Sequence, residues 1–340
     1  MDYLKPSEVV NALVEAGARK AKLPVLDLLV RGALSGAILG IATSLAITAT
    51  IQTGAPIVGA LIFPVGFVMI VLLGLELVTG SFALLPMAQL ERKVSFAETM
   101  RNWSWVFVGN LAGSLLYAAM LWGAFTMFGE VSGGPLAERI AAIADARTLA
   151  YEAHGASGWA AVFTKAMLCN WMVCMGIVMA AVAQSTVSKI VAAWIPICMF
   201  FGMGYEHAVV NMFVIPAGIL FGAKTTAASW WIWNQVPVTL GNFAGGFLMT
   251  GLALWLTYRT RAPKATEPTA SRMPNVSAPL GLTSPVTSGR CPVRTMRLSM
   301  SRSMYMFSAF APPAARNPPT RVATTSVSFG SPPDARIIVG

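Results

Sequence analysis

Four ionisable side chains stand inside stretches that are otherwise apolar: Glu76, Lys165, Glu206 and His207. A charge at bilayer depth is costly, so such groups usually mark a path for ions or protons. Histidine changes charge near neutral pH, and His207 is the one histidine within an apolar span. Proton relay is the chemistry that position suggests; a hydrogen-bonded structural imidazole is the plainer alternative. Glu76 and Glu206 follow glycines, in Gly74-Leu75-Glu76 and Gly204-Tyr205-Glu206, where a carboxylate can bond backbone amides freed by an interrupted helix. A structural role is favoured for both. Lys165 can draw anions or simply extend its ammonium to the surface. Thr79 and Asn211 lie three and five residues beyond the two glutamates. There they could join the N–H donors of restarting helices, an arrangement suited to small anions. Phe63, Leu77, Val78, Val173 and Phe200 supply bulk nearby, as walls of a narrow path or as ordinary core.

These side chains need a scaffold that a soluble core cannot supply. Of 340 residues, 56% are hydrophobic and only 11% charged. Residues 32–75, 102–129, 166–188 and 225–258 contain no Asp, Glu, Lys or Arg, and each exceeds the roughly 20 residues that cross a bilayer. An ordinary cytosolic enzyme is thereby excluded, and the chain reads as an all-α polytopic membrane protein. The net charge of +10 is not a nucleic-acid footprint, because residues 264–340 carry +7 of it. Cys169, Cys174 and Cys198 fall in apolar spans and Cys291 in the tail, without the paired spacing of a zinc site. They read as free thiols, and neither metal nor cofactor is expected.

Along the chain, residues 1–26 carry an amphipathic helix over 5–22, expected on the membrane surface, and lack the short apolar core of a cleavable leader. Six spans fill 27–261: about 28–51, a broken one over 56–90, 102–128, 158–184, a second broken one over 190–223, and 233–256. The polar stretch 129–157 reads as the longest loop. Basic residues of short connections (Arg92, Lys93, Arg101, Lys189, Arg259, Arg261) put both termini on the inner side. Residues 262–340 form a basic, Pro/Ser/Thr-rich tail whose composition implies disorder and whose charge could touch lipid headgroups.

The chain also repeats itself. Asn102 with Gly109-Asn110-Leu111-Ala112-Gly113 recurs as Asn234 with Gly241-Asn242-Phe243-Ala244-Gly245 at an offset of 132, and Gly74-Leu75-Glu76 recurs as Gly204-Tyr205-Glu206 at 130. Each unit holds three spans, so the second must insert upside down, giving an inverted 3+3 repeat with paired interrupted helices. The small residues of the two Gly-Asn motifs read as close helix packing rather than ligand contact. Gly155-Ala156-Ser157-Gly158 with His207 resembles the Ser-His arrangement of rhomboid intramembrane proteases, but the repeat and the broken helices have no place there. A pore for neutral solute or hydrosulfide is a closer alternative; the absence of paired Asn-Pro-Ala motifs argues against an orthodox water channel.

Gly74-Leu75-Glu76-Leu77-Val78-Thr79-Gly80, the first Gly-Asn motif, Leu168-Cys169-Asn170-Trp171-Met172-Val173-Cys174, and the run from Gly204 through Glu206-His207 and Asn211 to Pro216 together resemble the formate/nitrite transporter family. The likeness covers about residues 1–261. It implies an aquaporin-like fold in a bacterial inner or equivalent membrane, a homopentamer with one pore per protomer, and passage of small monovalent weak-acid anions such as formate or nitrite, without enzymatic activity. By motif position, His207 resembles the family's central pore histidine, Thr79 its partner and Asn170 a pore-lining asparagine. Leu77, Phe63, Phe200 and Val173 fall where the family forms two apolar constrictions. Val78 stands where members often have Phe, and His154 near the outer mouth where they often have Lys. The implied mechanism has His207 pass a proton to the anion between the slits, so that proton and anion move together; conduction of the anion itself stays open.

Overall fold

The computed structural model describes residues 3–259, and these are helical apart from short connections. Four helices are long and apolar enough to cross a membrane: α2 (Val25–Thr53), α6 (Phe96–Thr126), α9 (Gly155–Val182) and α12 (Ala227–Tyr258). Between them lie shorter apolar pieces, α3 (Pro56–Ile62), α4 (Pro64–Leu72) and α5 (Val78–Leu90), then α10 (Thr186–Gly202) and α11 (Ala208–Leu220). The chain begins with α1 (Pro6–Ala21), and α7 (Gly134–Ala146) and α8 (Leu149–Glu152) fill the long connection between α6 and α9. The boundaries follow local chemistry. Gly54 ends α2 in the left-handed region (φ 66), and Ser95 starts α6 with a reciprocal cap in which the Ser95 amide donates to Glu98 Oε2 at 2.8 Å and the Glu98 amide to Ser95 Oγ at 3.2 Å.

Packing of the long helices rests on the two Gly-Asn motifs. A β-carbon at Gly36 or Gly113 would overlap the backbone carbonyl of Asn110 or Ala33, so α2 and α6 touch main chain to main chain. The same holds for α9 and α12, where Gly241 and Gly245 meet the carbonyls of Phe163 and Met167. Both expected interruptions are present. Gly74 (φ 62) and Gly204 (φ 63) turn the chain out of α4 and α10, and α5 and α11 restart at Val78 and Ala208.

Two placements differ from the sequence reading. The apolar face of α1 does not lie open to lipid: Val9, Val10, Leu13 and Val14 are buried against Ala83, Leu84, Met87, Cys174 and Val178. Gly17 permits this, because any side chain there would strike the Leu84 carbonyl. The stretch read as a loop carries α7, whose Leu136, Ile140 and Ala144 pack on Phe213, Ile215 and Ala217 of α11. Their i, i+4, i+8 spacing was visible, but the charges between them masked it. The predicted tail, 262–340, lies outside the described residues, as does Arg261.

Candidate functional site

The two interruptions are built alike. Leu77 caps α5 with φ −122, ψ 118 and His207 caps α11 with φ −116, ψ 122, both extended. Each break leaves a carbonyl and an amide without a helical partner, and one asparagine serves both. Asn110 Nδ2 donates to the Glu76 carbonyl at 2.9 Å, and its Oδ1 accepts from the Val78 amide at 3.0 Å. Asn242 Nδ2 donates to the Glu206 carbonyl at 3.0 Å, and its Oδ1 accepts from the Ala208 amide at 2.8 Å. The spare amide hydrogens reach the neighbouring long helix, at Gly32 (2.8 Å) and Ala166 (2.8 Å). The motif asparagines are therefore locks on the breaks as well as companions of close-packing glycines.

The breaks bring Thr79 and His207 together. Thr79 Oγ1 and His207 Nε2 lie 3.0 Å apart, and both residues are buried. His207 Nδ1 accepts from the Val210 amide at 3.2 Å, as an N-cap acceptor does. With the Nδ1 lone pair used, a neutral ring carries its hydrogen on Nε2 and donates it to Thr79 Oγ1. The Thr79 hydroxyl hydrogen is then left to serve another acceptor. Asn170 supports the pair from α9: its Nδ2 donates to the Thr79 carbonyl at 3.0 Å and to the Asn242 carbonyl at 2.7 Å. The Phe200 ring stacks beside His207 at 5.7 Å and meets Phe63 edge-on at 5.6 Å. Phe63, Leu77, Val78, Val173 and Phe200 all belong to one buried apolar cluster.

A second polar group surrounds the neighbouring carboxylate. Glu206 Oε2 accepts from Arg147 at 2.9 Å and from Asn211 Nδ2 at 2.8 Å, while Oε1 accepts the Tyr151 hydroxyl at 2.9 Å. Asn234 ties Asn211 Nδ2 (2.8 Å) to the Arg147 carbonyl (2.8 Å). Lys165, itself exposed, donates to the Tyr151 oxygen at 3.1 Å. Burial, and then the charge of Glu206, push the Tyr151 phenol well above its ordinary value, so it keeps its proton and donates it. The Asn211 side chain, one helical turn into α11, thus binds Glu206 and not the His207 ring. At the first break Lys20 of α1 reaches Glu76 Oε1 at 2.7 Å. His154 is exposed just before α9 and joins neither group.

The sequence reading did not name Arg147, Tyr151 or Lys20. No spacing rule links them to carboxylates 59, 55 and 56 residues away, and contact depends on how α1, α7 and α8 fold back over the breaks.

Two cavities reach the residues that flank the central pair along the chain. One of about 400 Å³ is lined by Arg139, Arg147, Tyr151, Lys165 and Glu206. The other, about 530 Å³, is lined by Arg19, Lys20, Leu77, Ile177 and Lys189. They lie toward opposite ends of α9, because twelve helical residues, about 18 Å, separate Lys165 from Ile177. Glu206 precedes His207 and Leu77 precedes Thr79 by two residues, so each cavity reaches one member of the buried pair's neighbourhood. Both mouths carry basic side chains, which suits an anionic solute.

Known proteins resemble this chain in sequence and in fold. The family model described as "Formate/nitrite transporter" matches residues 7–256. An uncharacterized transporter of Bacillus subtilis, YrhG, is 35% identical over 267 residues, covering 77% of this chain and 96% of the relative. A probable formate transporter of Methanothermobacter thermautotrophicus is 32% identical over 273 residues, covering 75% and 97%. Among solved structures, a pentameric formate channel with formate bound aligns with a TM-score of 0.57 at 26% identity, covering 69% of this chain and 98% of that one. These are transporters and channels, not enzymes, and by the extent of the match this membrane protein belongs to the formate/nitrite transporter family.

Proposed function

We propose that each protomer passes small monovalent weak-acid anions, formate or nitrite, between the two cavities by way of Thr79 and His207, with a proton accompanying the anion. The observation that carries this reading is the buried Thr79–His207 contact at 3.0 Å, set between two helix breaks and against the Phe63–Phe200 wall. An anion drawn in by Lys165 and Arg147, or by Lys20 and Lys189, has to shed water at that wall. Desolvation is expensive for a charge and cheap for the neutral acid. The Thr79 hydroxyl hydrogen meets the solute oxygen, and His207 orients that hydroxyl. Leu77, Val78 and Val173 complete the slits, and Asn170 holds the Thr79 backbone in register. Asn211 and Glu206 serve the path indirectly, by fixing the second break.

The architecture behind this reading is six spans in two inverted units of three, the broken ones being α3–α5 and α10–α11. The matched hydrogen bonds of Asn110 and Asn242 support it. A homopentamer in the lipid bilayer is the assembly inferred from the pentameric relative, and the basic residues of the short connections are what support placing both termini on the cytoplasmic side.

Two routes can deliver the proton. In the first, His207 hands it to the anion. In the second, favoured by the Val210 amide on Nδ1, the solute is protonated in the vestibule and His207 only positions it. Proteoliposomes challenged with formate and with nitrite at acid and neutral external pH test the whole proposal. Acid outside should accelerate uptake of both, and His207→Phe should abolish it. Asn caps helices well and carries no titrating proton. His207→Asn therefore keeps acid-stimulated uptake if the proton comes with the solute and loses it if His207 is the donor. Uptake by His207→Phe equal to the unaltered protein would end the proposal.

A further inference from the structure

The two breaks are matched in backbone and unequal in polar satisfaction. At the second, Asn211 fills the space beside the carboxylate: its Nδ2 donates to Glu206 Oε2 at 2.8 Å and to Asn234 Oδ1 at 2.8 Å. The corresponding residues at the first break, by the offsets of 130 and 132, are Glu76, Ser81 and Asn102. The wider frame corresponds too. Asn102 Nδ2 donates to the Lys20 carbonyl at 3.0 Å as Asn234 Nδ2 does to that of Arg147 at 2.8 Å, and Lys20 and Arg147 are the cations on the two carboxylates. The serine side chain ends one bond short of the asparagine amide and offers a single polar atom in place of two, so it does not fill the same space. Glu76 Oε2, Ser81 Oγ and Asn102 Oδ1 are all buried and have no protein hydrogen-bond partner. At the second break the corresponding side chains converge on the Asn211 amide, and three orphan oxygens at the matching positions of the first break point to a ligand there, because buried polar atoms are satisfied by protein or by ordered solvent.

We propose that Glu76 Oε2, Ser81 Oγ and Asn102 Oδ1 hold one ordered water molecule, which takes the place at the first break that the Asn211 amide takes at the second. The donor count fits. Two of the three oxygens only accept and the third belongs to a hydroxyl, while water offers two hydrogens to donate and two lone pairs, of which one suffices here. It donates to Glu76 and Asn102 and accepts from Ser81. Glu76 is already ion-paired with Lys20 at 2.7 Å, which leaves no net negative charge for a metal cation. The cavity of about 530 Å³ lined by Lys20, Gly74 and Gly80 gives solvent a way in. The inference stands independently of which solute is transported.

A structure of the full chain at a resolution that shows buried waters tests it, together with unfolding midpoints in detergent. One solvent peak at hydrogen-bond distance from all three oxygens is expected. In Ser81→Asn the amide should displace that peak and raise the midpoint by about 2–4 °C, whereas Ser81→Ala should lower it. Absence of the peak while other buried waters are visible would overturn the proposal. So would a midpoint in the unaltered protein that rises with sodium but not with choline at equal ionic strength, since that is the behaviour of a cation site. A fall in the midpoint of Ser81→Asn with the peak still present would overturn the equivalence with Asn211.

Discussion

At the scale of single residues, three side chains carry more than their own contacts. His207 is at once the N-cap of α11, through Nδ1, and the partner of Thr79, through Nε2. Its replacement by Phe removes both, so the Asn variant is the informative one. Asn242 bridges three backbone groups, the Glu206 carbonyl, the Ala208 amide and the Ala166 carbonyl. Its truncation leaves the Glu206 carbonyl and the Ala208 amide unpaired in a low-dielectric interior. With about 1–3 kcal/mol for a buried polar group left unsatisfied, Asn242→Ala should destabilise by several kcal/mol, seen as a lowered unfolding midpoint, and Asn110→Ala should behave likewise. Tyr151 contributes a pH dependence. Its phenol is held above its ordinary value of about 10, so above that pH the unfolded chain releases a proton that the folded chain keeps. The associated stability is present in full below about pH 10 and falls as pH rises further. Tyr151→Phe should flatten the decline in unfolding midpoint as pH rises above about 10, measured in detergent.

At the scale of elements, the interrupted helices are stabilised from outside. Each break is held by a long neighbouring helix through its asparagine and by an accessory helix through a cation: α1 supplies Lys20 to Glu76, and the end of α7 supplies Arg147 to Glu206. Removing one partner of a buried pair costs about 3–5 kcal/mol, because the remaining charge is stranded. Arg147→Met should therefore lower the unfolding midpoint strongly, and Arg147→Met combined with Glu206→Gln should recover much of the loss. Equal losses in the single and double variants would mean that the pair is not what secures the second break. The long helices themselves were legible from the chain: the run read as a span over 28–51 is α2, Val25–Thr53, because lipid requires a continuous apolar stretch of that length. Helix α7 was not, because its stripe of Leu136, Ile140 and Ala144 is narrow and interrupted by charge.

At the scale of the whole molecule, the outer surfaces of α2, α6 and α10 expose large apolar side chains, among them Leu34, Ile41, Leu116, Met120, Val187 and Ile195. Lipid and neighbouring protomers are the surroundings that such surfaces suit. The assembly proposed above predicts five times the protomer mass by native mass spectrometry in mild detergent, and a predominantly monomeric signal would contradict it. From the sequence alone came the membrane class, the positions of the long helices and of both interruptions, and the identity of His207 and Thr79 as residues of interest. Apart from Thr79, which its place beyond Glu76 and the family resemblance brought forward, these are consequences of local composition: a bilayer imposes apolar length, glycine imposes a turn, and a buried ionisable group draws notice wherever it stands. Only the tertiary structure decided that the Gly-Asn motifs lock the breaks, that Asn211 belongs to Glu206 and not to His207, and that Arg147, Tyr151 and Lys20 close over the two carboxylates. Those partners are separated by tens of residues, and a hydrogen bond is decided by distance in space, which no spacing along the chain encodes until helices fold back on one another.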